Sequence, residues 1–337
     1  MNEIEKSPET NNPTSLNHLP DELILQILTK ITDLKTLFIC HVVSKRISSI
    51  TLHVRTISFT ATDVTISNNP NYFSRSLVNT LISKPLHFIR RAILPPPKPL
   101  PPIISSFYDH SFRSAFMFMT KFRFLKTLLV ELPYSRHKGV DDSCLYKWKV
   151  GFGNKIDSFI FVSPNLVSYN DSNNANGLCE STGFSNDAFR KKVHIAFQCL
   201  KDVIVRHRML LYFIKEFPLL ERVVISDSGR RGRLSLSGGR VREVREWIGG
   251  DADDVKLRLN CVEVPVSVNT CYVDVLDLGR SGCVMRDVTF AVMEMSEDVG
   301  SVTGDYEFED EDEEEGVYSE AVIEILENHK DKMKKLL

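Results

Sequence analysis

Six arginines crowd the segment Gly229–Arg245: Arg230, Arg231, Arg233, Arg240, Arg242 and Arg245. Guanidinium forks match the geometry of carboxylate and phosphate. The segment is therefore a candidate for holding an anionic peptide, with Arg230, Arg231 and Arg233 as the contacts and Trp247 as an aromatic anchor. Two other readings stay open. One is a solvated loop and strand edge balanced by Glu243, Glu246 and an acidic tail. The other is nucleic acid, which no interleaved aromatic residues support through base stacking. Trp148 and Trp247 also suit core packing.

The remaining reactive side chains show no constellation. The nine histidines lack metal-ligand spacing, and His194 and His207 sit in apolar-rich segments where a structural role is expected. Asp141-Asp142 and Asp253-Asp254 are neighbours whose side chains would point to opposite faces of a strand. The seven cysteines, Cys40, Cys144, Cys179, Cys199, Cys261, Cys271 and Cys283, form no CxxC pair, so free thiols are expected rather than a zinc site or disulfide framework. No GxSxG, GxGxxG or P-loop occurs. The chain is expected to be a non-enzyme, without metal or cofactor.

A formal net charge of −2 gives no overall pull toward nucleic acid or an anionic membrane. Residues 1–15 lack the apolar run of a signal peptide, and no stretch approaches the ~20 apolar residues of a membrane helix. These features place the expected location in the nucleus and/or cytoplasm, where the sequon Asn170-Asp171-Ser172 would go unmodified.

The elements that must position these residues fall into blocks. Residues 1–15 read as disordered, and residues 19–50 as three short helices. Leu19-Pro20-Asp21-Glu22 opens the first: proline is tolerated in a first turn, and the acids suit the positive helix end. Leu23, Ile24, Ile27, Leu28 and Ile31 make its apolar stripe. Thr32-Asp33 signals a second start, ahead of Leu34, Leu37, Phe38 and Val42. Ser44 signals a third, ahead of Ile47 and Ile50. So many apolar groups exceed what ~32 residues bury alone, which argues for a partner.

A proline-rich stretch at 95–102 cannot continue a helix or central strand. From 54 to 244 a phrase recurs: apolar, two residues, apolar, one residue, apolar. It is seen at Val54–Ile57–Phe59, Leu125–Leu128–Val130, Ile156–Phe159–Phe161, Leu200–Val203–Val205 and Leu220–Val223–Ile225, with a partial copy at Val241–Val244. Three copies carry Lys126, Lys201 or Glu221 after the first apolar residue. Helical stretches lie between, such as Ser114–Lys121 and Met209–Glu216. Short strands alternating with helices suggest an irregular leucine-rich-repeat-like solenoid; an ordinary α/β domain is the alternative. Residues 255–295 are β-rich, with a turn at Gly279 and Gly282. Nine acidic residues in 305–315 predict a disordered block, and 319–337 resumes a helical pattern. Its face comprises Val322, Ile325, Leu326, His329, Met333 and Leu336, with lysines late.

Leu19-Pro20, Ile27-Leu28, Leu34–Leu37 and Val43-Ser44-Lys45-Arg46 together resemble an F-box, with Ile47 where an aromatic residue usually follows Lys-Arg. Lys147–Gly153, Arg230–Gly238 and Val241–Trp247 are similar to segments of a plant F-box group that includes auxin-induced members. The resemblance spans residues 19 to about 295. It implies an SKP-type adaptor and, through it, a cullin as partners, with an unknown protein substrate. The implied adaptor-binding residues are Leu19, Pro20, Leu23, Ile24, Ile27, Leu28, Leu34, Leu37, Val43 and Ile47. It also implies that the chain is the substrate-recognition subunit of an SCF (SKP–cullin–F-box) ubiquitin ligase; an F-box-like scaffolding or transcriptional partner outside a ligase is the alternative. The expected organisation is mixed α/β (α+β). Residues 16–52 would form a three-helix F-box, and 53–295 a leucine-rich-repeat-like substrate domain with a β-rich end. A disordered acidic segment, 296–318, and a helix, 319–337, would follow.

Overall fold

The computed structural model describes residues 19–61, 110–133, 144–169, 185–249, 264–295 and 313–336. The stretch 1–15, the proline-rich 95–102, the run 255–259 and most of the acidic block lie outside the described residues, as do Cys179 and Cys261.

Three helices open the chain where the capping signals put them: α1 (Asp21–Thr29), α2 (Leu34–Val43) and α3 (Lys45–Thr51). The Asp33 side chain accepts from Thr36 N at 2.8 Å, and the Ser44 hydroxyl from Ile47 N at 3.2 Å. Each cap satisfies one of the donors that a helix start leaves unpaired.

The next elements build a four-stranded sheet. Its strands are β1 (Thr56–Thr60), β2 (Thr127–Leu132), β6 (Arg222–Asp227) and β7 (Arg233–Ser237), adjacent in that order. The first three are parallel, and the recurring phrase sets their register. Ile57 lies beside Leu128 and Leu128 beside Val223, while Phe59, Val130 and Ile225 form the next row. Even the charged position repeats, with Lys126 paired to Glu221 at 2.6 Å across adjacent rungs. Helix α4 (His110–Met119) precedes β2, as its sequence predicts.

Among the described residues the parallel ladder has these three rungs, and two of the other expected strand phrases are corrected to helix. Leu200, Val203 and Val205 lie inside α5 (Asn186–Glu216), and Val241 and Val244 inside α6 (Gly238–Ile248). Apolar residues three apart serve a helix face as well as they serve a strand phrase. Ile156–Phe159–Phe161 is a strand but belongs to a second, antiparallel sheet.

That sheet runs β10 (Lys334–Lys335), β8 (Ser267–Leu278), β9 (Cys283–Glu294), β4 (Ile156–Ser163), β3 (Lys147–Phe152), and β5 (Leu166–Tyr169) also pairs with β9. The β8–β9 hairpin turns through Gly282 at φ 62°, a conformation glycine adopts without a Cβ clash. Strand alternation splits the sheet between two cores. Phe159 and Phe161 face the larger core, whereas Ile160 and Val162 face a smaller one.

Helix α5 is the spine of the larger core, lying against β6 and β7 of one sheet and β4 and β9 of the other. Helix α7 (Glu313–Asn328) closes the smaller core with Val317, Tyr318, Ala321, Val322, Ile325 and Leu326. It begins six residues before the helical start expected at 319 and inside the stretch read as disordered. It ends before Met333 and Leu336, so the late lysines follow it rather than cap it. Lys334 and Lys335 instead pair with β8. No helix among the described residues is long and apolar enough to cross a membrane.

Candidate protein-interaction site

Two regions gather the residues singled out by sequence. The first is the N-terminal helical unit. Of its ten named residues, Ile24, Leu28, Leu34, Leu37 and Ile47 are buried within the protein itself. These five therefore support the unit's surface from within rather than forming it. The sequence argument counted ~32 residues as an isolated unit, but the unit shares the larger core with Ile57, Phe112, Phe116 and Phe118. It is also tied to the outer edge of the first sheet, where Ser58 N donates to Thr32 O at 2.7 Å.

The residues left outside are as informative. Pro20, Leu23 and Ile27 lie at helical spacing on one exposed face of α1, with Leu23 44% and Ile27 48% exposed. Helix α2 exposes Ile39 (51%), Val42 (55%) and Val43 (65%). Ile39 and Val42 were missed as site residues. The signal was present: α2 carries seven apolar residues in ten, more than the one side covered by the body can take up. Leu19 is half-buried. Arg46 braces this face from below, with its guanidinium at 2.5 Å from Asp21 Oδ1 and donating to Leu19 O.

The second region is where the sheets meet. The segment 147–153, distant in sequence from 230–238 and 241–247, meets them here. Trp148 N donates to Arg231 O at 2.8 Å, which joins β3 to the loop between β6 and β7. Gly232 packs directly on the Trp148 ring. Arg240, in the first turn of α6, donates to Phe152 O. Trp148 also faces the Arg206 guanidinium, 5.7 Å from the ring centroid. Arg206 is almost fully buried and pairs with Asp227 at 3.1 Å, while Asp227 also accepts from Gly229 N at 2.7 Å. The ion pair thus pins the arginine-rich loop to the spine.

The loop's arginines are accordingly engaged within the protein. Arg231 stacks 4.2 Å from the Tyr146 ring centroid and donates to its hydroxyl. Arg233 lies 3.4 Å from Glu315 of α7. Arg245 donates to Leu220 O at 2.6 Å. Trp247 is half-buried against the larger core. Arg230 is exposed at φ 51°, and its carbonyl accepts from Lys147 Nζ. The balancing acid recovered for Arg233 is Glu315 of the acidic tail.

Buried titratable groups near this junction are locked rather than poised. Burial pushes His207 down to about 4, so it is neutral, and its Nε2 donates to Gly153 O at 3.0 Å. Burial likewise lowers Lys192 to about 8, where its Nζ donates to Ser163 O at 2.8 Å and Asp287 O at 3.2 Å. The Cys199 thiol is pushed up to about 12 by burial and stays protonated. Among the described residues no group of three His, Cys, Asp or Glu side chains is placed to hold a metal. The arrangement is suited to holding surfaces in fixed relation.

An exposed apolar helical face on a braced α/β body can be set beside known proteins. F-box protein At1g30200 of Arabidopsis thaliana is 26% identical over 333 residues, covering 86% of this chain and 86% of the relative. F-box proteins AUF2 and AUF1 of the same plant are 25% and 23% identical, each covering 91% of this chain, and 94% and 95% of their own lengths. The chain resembles plant F-box proteins over most of its length. No family model matches it, and no solved structure matches it. The F-box resemblance and the geometry bear on the same residues. The helical unit whose residues resemble an F-box leaves apolar side chains uncovered, and the three downstream segments of resemblance form one connected junction.

Proposed function

We propose that this protein is the substrate-recognition subunit of an SCF-type ubiquitin ligase. In this reading α1–α3 form the F-box and dock on an SKP-type adaptor, which bridges to a cullin. The α/β body holds a target protein for ubiquitylation and proteasomal degradation. The observation that carries the reading is the exposed apolar set Leu23, Ile27, Ile39, Val42 and Val43, on a unit resembling an F-box. Each of these aliphatic side chains is about half exposed, so burying the remainder against a partner is worth about 1 kcal/mol.

The receptor supplies no catalytic group in this scheme. It raises the effective concentration of a target lysine near the charged conjugating enzyme. The test is purification of the full chain from plant cells, with adaptor and cullin probed in the eluate. Recovery of both supports the ligase reading. Recovery of the adaptor without cullin, at normal expression of both, points instead to a scaffolding role outside a ligase.

A further inference from the structure

Two nearly buried cations, one from each sheet, lie under the acidic start of α7. Lys147 of β3 is 9% exposed at its side chain and meets Glu314 at 3.0 Å. Arg233 of β7 is 12% exposed and meets Glu315 at 3.4 Å. Beside them Lys149 donates to Ser319 Oγ. The covering carboxylates are the more exposed partners, at 56% for Glu314 and 22% for Glu315.

The helix that delivers these carboxylates has two unlike parts. From Val317 onward it is anchored by its apolar face in the smaller core, and Glu320 accepts from Arg280 N and Ser281 N at 2.7 and 3.0 Å. Residues 313–315 precede Gly316, bury no apolar side chain, and belong to the turn whose N–H groups lack intrahelical partners. Glycine inside a helix costs about 1 kcal/mol relative to alanine, so Gly316 is the natural place for this first turn to part from the rest. The Lys147–Glu314 pair, whose carboxylate is exposed, holds weakly.

We propose that residues 313–315 occupy, in cis, an anion-binding site formed by Lys147, Lys149 and Arg233, and that its trans ligand is an acidic peptide segment of the target. This rests on the receptor reading above and gives the target a chemical class. Cations drawn from both sheets converge on adjacent carboxylates of one short segment, as they would on a bound acidic peptide. A tethered occupant competes at an effective concentration on the order of millimolar. Only a target segment that outcompetes it would be captured, so the tail sets a threshold.

The probe is a fluorescent synthetic peptide with the sequence of residues 305–316, together with a version in which every Asp and Glu is replaced by Asn or Gln. Binding to the full chain is read by anisotropy. The Glu313→Gln, Glu314→Gln, Glu315→Gln variant is expected to bind the acidic peptide at least tenfold more tightly than the unaltered chain. It should not bind the neutral peptide, and adding Arg233→Gln should abolish the gain. Equal binding by variant and unaltered chain, at unchanged melting temperature, overturns the proposal. Should the triple variant melt early, Glu314→Gln alone is used. It should show a smaller gain, and no gain at normal melting overturns the proposal equally. Adaptor co-purification, measured in parallel, decides the receptor reading separately. Adaptor bound without a peptide gain removes only this inference; a peptide gain without adaptor leaves an acidic-peptide site and removes the ligase context.

Discussion

Gly232→Ala tests the junction between the sheets with the smallest steric change available. A Cβ built at Gly232 would sit 2.5 Å from Cε2 and 2.6 Å from the carbonyl oxygen of Trp148, well inside van der Waals contact. Neither side can yield cheaply. The Trp148 ring is buried, with Phe159 at 6.5 Å between centroids and the Arg206 guanidinium 5.7 Å from its centroid. Its backbone is bonded to Arg231 O, and Gly232 O accepts from Asp227 N at 3.1 Å. Overpacking of this kind costs about 1–3 kcal/mol. Pinned backbone on both sides puts the expectation at the upper end, about 2–3 kcal/mol. On a scale of about 2–4 °C per kcal/mol, the melting midpoint should fall by roughly 5 °C or more. Urea titration followed by fluorescence in a Trp247→Phe background reads Trp148 directly. Gly153→Ala and Gly239→Ala, where an added Cβ meets nothing within 4 Å, are the controls and should stay within ~0.5 kcal/mol. A Gly232→Ala chain as stable as these controls would refute the packing argument for the junction.

Other expectations follow from the same geometry. Asp227→Ala strands the buried Arg206 and should cost about 3–5 kcal/mol in urea unfolding, whereas replacing both partners by apolar residues of similar volume should cost less. His207 has its folded value depressed to about 4 from 6.5. The unfolded chain therefore binds the extra proton, so stability is full above pH 6.5 and is lost as pH falls toward 4. His207→Asn should flatten the slope of unfolding free energy across that window. Leu23→Glu with Ile27→Glu should weaken binding to the proposed adaptor at least tenfold while shifting the melting curve far less than a core substitution, because both side chains are about half exposed. Leu37→Ala should instead destabilise the fold by about 2–5 kcal/mol, because Leu37 is fully buried.

Local chemistry in the sequence made some of this legible. The caps at Asp33 and Ser44 and the proline before Asp21 placed three helix starts. The glycines at 279 and 282 placed the long hairpin. The phrases at 54–59, 125–130 and 220–225 became neighbouring strands with matching apolar positions in register. The same pattern misled at Leu200–Val205, where α5 is buried on nearly every side. Its apolar residues show no clean stripe, and a spacing of three fits either element. The start of α7 was hidden because a run of acids reads as self-repelling until Lys147 and Arg233 are known to lie opposite. The contacts of Trp148 with Arg231 and Gly232 join residues about eighty positions apart, and no local pattern encodes such a pairing.

The shared core also changes how the two functional regions relate. Sequence divided the chain into a three-helix unit at 16–52 and a separate domain at 53–295. Ile24, Leu28, Leu34 and Leu37 instead pack in one continuous core with Ile57, Phe112 and Phe116. Phe38 meets Phe118 edge-on at 5.0 Å, and His41 lies 5.2 Å from the same ring. Removing the helices would expose that face of β1 and α4 to water, so their loss should also weaken the body. In the proposed receptor role, where the contribution is proximity, this coupling would have a use. A target held on the body would keep a fixed position relative to the adaptor, because no flexible hinge separates the exposed face of α1 and α2 from the first sheet. Geometry held by packed side chains is what converts proximity into rate, and here the packing runs from Leu37 through Ile57 and Leu128 to Val223 without leaving the core.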